Sequence, residues 1–260
     1  MAIRLNCDMG ESFGIWKMGN DEEVMPYIDM ANLACGFHAS DAVTMSRTVI
    51  LAKKYNVTIG AHPSYHDLLG FGRRTVLCSL EEIKSIILYQ LGALNAFCRA
   101  NGTTVSYVKP HGALYNDMMR DENIFKAVLN AISSFNKNIK LMVISGPKNE
   151  EYEYTAKLYD IKLLFEVFAD RNYKDDGTLV SRMEENAIIH EELDVIAGVS
   201  NLKEKGFISS INGQMLFLKS DSICVHGDNE KALDFIKLVK KTLYWWVVHT
   251  NKRLYLSFFT

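Results

Sequence analysis

The sequence predicts an α/β fold, a distorted TIM-like barrel of about seven parallel strands. Three observations carry that prediction. Short apolar runs alternate with longer stretches of helical period almost to the C-terminus. No Ser-, Gly- or Pro-rich linker divides the chain, so residues 1–243 read as one domain followed by an aromatic tail, 244–260. No GxGxxG turn follows the first apolar run, which favours a closed barrel over an open doubly wound sheet, although periodicity alone fits either. A chain of 260 residues also matches a single barrel of about 250.

Ala2–Asn6 reads as the first strand and runs into a Gly- and Asp-rich turn; Tyr27–Cys35 is the second. Ser40 or Asp41 caps a helix reaching Tyr55, with Val43, Val49, Ile50 and Ala52 on its buried face. Thr58–Ala61 is the third strand. Ser79 and Glu82 have capping-box spacing and open a helix over Leu80–Arg99. In it Ile83, Ile86, Ile87, Leu91 and Leu94 recur at helical period, and Asn101-Gly102 ends it. Val105–Lys109 is the fourth strand, Asp121–Ala131 a helix, and Ile139–Ile144 the fifth strand, stopped by Ser145-Gly146-Pro147. Glu150–Tyr159 is helical, Leu163–Phe168 is the sixth strand, and Glu184–Gly198 is helical. Asn212-Gly213 between two alternating runs marks a hairpin. Ser222–Val225 is the last core strand and Lys231–Leu243 the last helix. The tail carries Tyr244, Trp245, Trp246, Phe258 and Phe259, too aromatic for a solvated end. Packing on the barrel or a homo-oligomer contact is expected there, ahead of docking on a membrane surface.

Hydrophobic residues make up 48% of the chain, enough to bury a core without disulfides or structural metal. A formal net charge of −2 gives no general attraction to nucleic acid or anionic membrane, so neither is expected as a partner. The cysteines, Cys7, Cys35, Cys78, Cys98 and Cys224, match no CxxC pattern and read as reduced thiols. Cys7, Cys35 and Cys224 sit in apolar runs and are expected to pack as small hydrophobes. With no long apolar leader segment and no run of about 18 apolar residues, a cytoplasmic protein is expected.

The polar residues fall where a parallel barrel would use them. Asp8 and Glu11 follow the first strand, His38 and Asp41 the second, and His62 the third. Lys109 and His111 follow the fourth strand, Asp170 and Arg171 the sixth, and His226 and Asp228 the last. The carboxyl ends of parallel strands share one face, where barrel enzymes place their sites. One such histidine alone is more often a satisfied turn residue than a catalyst. Four at equivalent strand ends are better explained by function.

Such a group can bind a divalent metal that activates water, or run acid–base chemistry unaided. No HExxH motif decides between them; if a metal is bound, Asp8, His38, His62 and His226 are the expected ligands. Lys109 either holds an anion in the pocket or snorkels to water. LLGFGRRT, residues 68–75, suggests a flap whose Arg73 or Arg74 grips a carboxylate or phosphate, against a plain solvated basic turn. No GKS or GKT is present, so no P-loop is expected. Glu166 interrupts an apolar strand; it is paired or functional if buried, or faces outward to a helix lysine.

LNCDMGESFG, ANLACGFHASD, GAHPSYHDLLGFGRR, YVKPHGALYN, EVFADRNY with GTLVSR, and ICVHGD follow one another along nearly the whole chain. Together they resemble the LamB/YcsF family. The resemblance implies a distorted barrel of the deacetylase-like kind and ATP-dependent opening of 5-oxoproline (pyroglutamate) to L-glutamate. It also implies two partner subunits, B and C, with which the ATP chemistry is associated, in keeping with the missing P-loop. By the same resemblance Asp8, His38, His62, Lys109, His111, Asp170 and His226 surround the pocket. Ser40, where Gly is common, His66, where Pro is common, and the aromatic tail depart from the pattern.

The roles expected from these readings are catalytic for Asp8, His38, His62, His111 and Asp170, with Asp8 or Asp170 as base and His38 or His62 relaying protons. Glu11, Arg74, Lys109, Glu166, Arg171 and His226 are expected to bind substrate. Two other functions fit the same residues: a stand-alone divalent-metal-dependent amide hydrolase or deacetylase, and a non-catalytic substrate-binding subunit.

Overall fold

A computed structural model describes residues 3–181, 184–225 and 233–244. Its strands are β1 (Arg4–Met9), β2 (Met30–Ala34), β3 (Thr58–His62), β4 (Val105–Val108), β5 (Lys140–Ile144), β6 (Leu163–Phe168), β7 (Ile208–Ser209), β8 (Met215–Leu216) and β9 (Ser222–Cys224). Its helices are α1 (Asp21–Val24), α2 (Ala42–Lys54), α3 (Leu80–Ala100), α4 (Gly112–Arg120), α5 (Glu122–Phe135), α6 (Asn149–Lys157) and α7 (Glu192–Lys205), with residues 233–244 helical as well. Seven strands pair in parallel in the order β1-β2-β3-β4-β5-β6-β9, and β9 closes the barrel by pairing with both β6 and β1. The expected distorted parallel barrel is the fold observed.

Side chains alternate along each strand, so each strand serves two cores. On β1, Leu5, Cys7 and Met9 pack outward with the apolar faces of the helices. Asn6 and Asp8 face inward. The barrel interior holds a small apolar plug of Met30, Tyr107, Met142 and Leu164. Two residues beyond Met30, Tyr107 and Leu164 stand Asn32, Lys109 and Glu166, so the interior turns polar towards the carboxyl ends. Gly60 makes room for the plug: a Cβ there would meet the Tyr107 ring at 2.2 Å.

Helix ends follow local chemistry. Asp41 caps α2 by accepting from the Val43 and Thr44 amides, and Ser79 with Glu82 forms the expected capping box on α3. The hairpin forms as β7 and β8, with Gly213 at φ +83° in its turn. All five cysteines are free thiols, with Cys7, Cys35 and Cys224 buried. No helix of the described residues is long and apolar enough to cross a membrane.

Several expectations are corrected. β1 runs to Met9, so Asp8 lies on the strand, paired in register with Asn32, rather than after it. Val43 and Ile50 are exposed, because the buried stripe of α2 runs through Met45, Thr48, Val49 and Ala52. α4 forms where only a turn was read; Ala113, Leu114, Tyr115 and Met118 give it a buried face. α7 starts at Glu192 rather than Glu184; the preceding segment instead bridges Ile188 to Arg171. Gly206, at φ +75°, caps its far end. His226, Asp228 and the tail beyond Tyr244 lie outside the described residues.

Candidate active site

The polar interior is one connected network. Asn6 Nδ2 donates to Ser222 Oγ at 2.7 Å and lies 3.4 Å from Glu166 Oε2. Asn32 Nδ2 donates to Asn6 Oδ1 at 2.8 Å and to Asp8 Oδ1 at 2.7 Å, while Tyr107 Oη donates to Asn32 Oδ1 at 2.6 Å. At its centre the Lys109 ammonium sits 3.0 Å from Glu166 Oε2 and 3.4 Å from Asp8 Oδ1. Tyr115 Oη donates to the other Glu166 oxygen at 2.7 Å. Glu166 is therefore the buried, paired carboxylate. Burial alone would pull Lys109 down, but the Asp8 and Glu166 carboxylates outweigh it and hold the amine well above the usual lysine value. Burial also pushes the Tyr107, Tyr115 and Cys224 protons up, so these groups stay neutral donors.

Beside this network three imidazoles close on one another. The His38 and His111 rings stack at 3.7 Å with 3° between planes, and His62 meets both edge-on. His62 Nδ1 is 2.6 Å from the Lys109 carbonyl, and its Nε2 is 2.9 Å from His111 Nδ1 and 3.4 Å from Asp8 Oδ2. His38 Nε2 lies 3.2 Å from Glu11 Oε1, and His111 Nδ1 is 3.7 Å from the same oxygen. Burial, then the neighbouring His111 and His62, hold His38 well below the usual imidazole value. Burial and His62 lower His111 to about 3. Both rings are neutral at pH 7.

The Gly-rich loop is a clamp on this cluster. Phe71, at φ +53°, accepts from His111 Nε2 through its carbonyl at 2.9 Å and sets its ring edge-on to His38 and His111. Gly72 accepts from the Ala113 amide at 2.9 Å. The loop also corrects the choice of arginine. Arg74 turns outward onto Asp67, with its side chain 65% exposed, whereas Arg73 lies over the Phe71 ring and lines the cavity.

That cavity, about 890 Å³, opens over the barrel mouth. Asp8, Glu11, His62, Lys109, His111 and Arg171 are in its wall, so residues from four strand ends do meet there. His38 lies behind His111, within the cluster. Asp170 is buried but does not line the cavity, and Arg171 spends two donors on the Ala187 and Val180 carbonyls, at 3.1 and 2.7 Å. Among the described residues, those able to hold a cation are Glu11, His38, His62 and His111, whose ligand atoms lie within 4.8 Å of one another. Glu11 and His111 join His38 and His62 of the expected set; Asp8 is bonded to Asn32 and Lys109, and His226 lies outside the described residues. Sequence reading also missed Asn6, Asn32, Tyr115 and Ser64. The two asparagines were visible as polar residues interrupting strands; Tyr115 and Ser64 carried no signal.

The comparisons agree with this fold. The model of the LamB/YcsF family matches residues 3–252. A Vibrio parahaemolyticus protein, named as the A subunit of 5-oxoprolinase, is 50% identical over 93% of this chain and 96% of its own. A Vibrio cholerae protein of the same name is 52% identical over 93% and 98%. The crystal structure of the lactam utilization protein from Thermus thermophilus superposes with a TM-score of 0.88 at 34% identity, covering 94% of this chain and 97% of that one. The chain belongs to the LamB/YcsF family.

Proposed function

We propose that this chain is the A component of an ATP-dependent 5-oxoprolinase, opening 5-oxoproline to L-glutamate together with partner subunits B and C. The observation that carries this reading is the identity, sustained along the whole barrel, with proteins of that name. A lactam resists water because amide resonance deactivates its carbonyl carbon. Phosphorylation of the amide oxygen by the ATP-handling partners makes that carbon electrophilic. One water then adds to the carbon and the C–N bond breaks as the nitrogen takes a proton, leaving an acyl phosphate, which a second water hydrolyses to the glutamate carboxylate and phosphate.

The cavity supplies what this needs. Asp8 is in its wall, 3.4 Å from His62 Nε2, which suits it as the base with His62 passing on the proton. Lys109 and Arg73 meet the substrate carboxylate or phosphoryl charge. Asp170, outside the cavity wall, is the weaker candidate for base. We place the complex in the cytoplasm, where ATP is available and free thiols persist.

The test is glutamate release from 5-oxoproline, with and without ATP and with and without the partners. Asp8→Asn, folded, is expected to lower turnover of the complete mixture by about 10²-fold or more; full activity would remove Asp8 as base. A second reading, a stand-alone divalent-metal-dependent amide hydrolase or deacetylase, is favoured by the convergence of Glu11, His38, His62 and His111. It requires turnover without ATP or partners, abolished by chelator.

A further inference from the structure

The three histidines are each tied at the ring nitrogen that faces away from the cluster. His62 Nδ1 meets the Lys109 carbonyl and His111 Nε2 the Phe71 carbonyl. A carbonyl oxygen only accepts, so both nitrogens carry their proton. His38 Nδ1 lies 3.1 Å from Ser64 Oγ, whose own hydrogen goes to the Tyr65 carbonyl at 2.8 Å, so this nitrogen is a donor too. Rings pinned in this way turn His38 Nε2, His62 Nε2 and His111 Nδ1 towards the cluster.

Those nitrogens lie close to further acceptors, with the His38 and His111 rings stacked parallel and side by side. His62 Nε2 and His111 Nδ1 face each other at 2.9 Å. His38 Nε2 faces Glu11 Oε1 at 3.2 Å, and that oxygen also lies 3.7 Å from His111 Nδ1. Four ligand atoms therefore border one small volume, all within 4.8 Å of one another. Protons could bridge the two short gaps only one at a time, each serving its own pair. One dication serves all four. Separations of 2.9, 3.2 and 3.7 Å lie around the distance of about 3.4 Å between ligands held about 2.1 Å from a tetrahedral ion, and the whole set lies within 4.8 Å. The tying of each ring's other nitrogen to a carbonyl or hydroxyl is also the arrangement that orients imidazole ligands.

We propose that Glu11 Oε1, His38 Nε2, His62 Nε2 and His111 Nδ1 form a divalent transition-metal centre at the barrel mouth. Three imidazoles and a carboxylate select a borderline ion of the zinc or cobalt class over magnesium or calcium, which prefer oxygen ligands. The centre is argued from donor atoms and distances and not from the reaction; with an ion on its Nε2, His62 serves as a ligand and no longer relays the Asp8 proton. Asp8 stays outside the ligand set, held by Asn32 and Lys109.

The experiment uses the full chain, stripped with chelator and titrated with Co²⁺ and then Zn²⁺, without substrate, ATP or partners. Visible absorption reports coordination, and mass spectrometry of the protein-bound metal reports stoichiometry. One equivalent of Co²⁺ per chain is expected, with absorption characteristic of nitrogen ligation, displaced by Zn²⁺. Glu11→Gln and His38→Gln, checked for fold by circular dichroism, are expected to weaken Co²⁺ binding at least tenfold. Ser64→Ala leaves every ligand in place but frees the His38 ring, and is expected to weaken binding by about 10- to 100-fold. A Co²⁺ spectrum unchanged from the free ion in the wild-type chain would overturn the proposal. So would one-equivalent binding that survives in both ligand variants. Because no turnover is measured, neither result bears on the ring-opening assignment.

Discussion

Replacing Lys109 with methionine removes the ammonium that stands between Asp8 and Glu166 in the barrel interior. Methionine fills much the same volume beside Cys224 and Phe168, so the change is chiefly one of charge. Glu166, fully buried, is then left with Tyr115 and Asn6 as donors and no cation within the 3.0 Å that Lys109 occupied. Removing one partner of a buried ion pair costs about 3–5 kcal/mol. At about 2–4 °C per kcal/mol for a chain of this size, Tm falls by roughly 10 °C. The double variant K109M/E166Q removes the stranded charge while keeping an oxygen for Tyr115, and is expected to recover about 2 kcal/mol or more of the loss. Urea unfolding and thermal melts of wild type, both single variants and the double variant give the coupling directly. Additive losses, or a K109M penalty below about 1 kcal/mol, would refute the view that Lys109 neutralises this interior.

Gly72→Ala is expected to disable the site while sparing the barrel. Its Cβ would lie 2.8 Å from His38 Cβ and 2.9 Å from His111 Cδ2, at φ +62°, so the clamp must shift. Glutamate release should fall by about 10²-fold, as for a displacement of catalytic groups by about 1 Å, with near-wild-type circular dichroism. Asp41→Ala is expected to cost about 1 kcal/mol at pH 7 through loss of the α2 cap. Hydrogen bonds from the Gly14 and Thr44 amides hold the Asp41 carboxyl below its usual value. Its stabilisation is therefore complete above the unfolded value of about 3.9 and fades as pH falls through the folded one. Urea midpoints of the two proteins should stay apart by a constant amount from pH 7 to about pH 4 and converge only below it.

The site was legible where topology alone decides position. Once the strands are parallel, residues just past their carboxyl ends share one face, and this brings together His62, Lys109, His111 and Arg171 without any detailed packing. The choice between Arg73 and Arg74 was not legible, because it depends on the left-handed backbone at Phe71 and on Asp67 waiting for Arg74 at the surface. The ligand-like set was half legible. Glu11 and His111 join it through ring tilts and a loop carbonyl, features that spacing does not encode. Glu166 announced itself as a carboxylate inside an apolar strand, but its partner Tyr115 sits on α4, a helix hidden behind a Pro-His-Gly turn. The register of α2 was misread because Val43 and Ile50 are as apolar as the residues that are buried.

The closure of the barrel by β9 also dictates when the chain can fold. Asn6 meets Ser222 across 216 positions, and until β9 emerges both β1 and β6 present unpaired edges. At about 5–20 residues per second of synthesis, the sheet left open when β6 ends at Phe168 must persist for roughly 3–11 s before Ser222 is made. Long-range pairings of this kind slow folding and expose strand edges to neighbouring chains. The nascent chain is thus most vulnerable to aggregation late in translation, and a truncation just before Ser222 would preserve six strands yet lose the barrel.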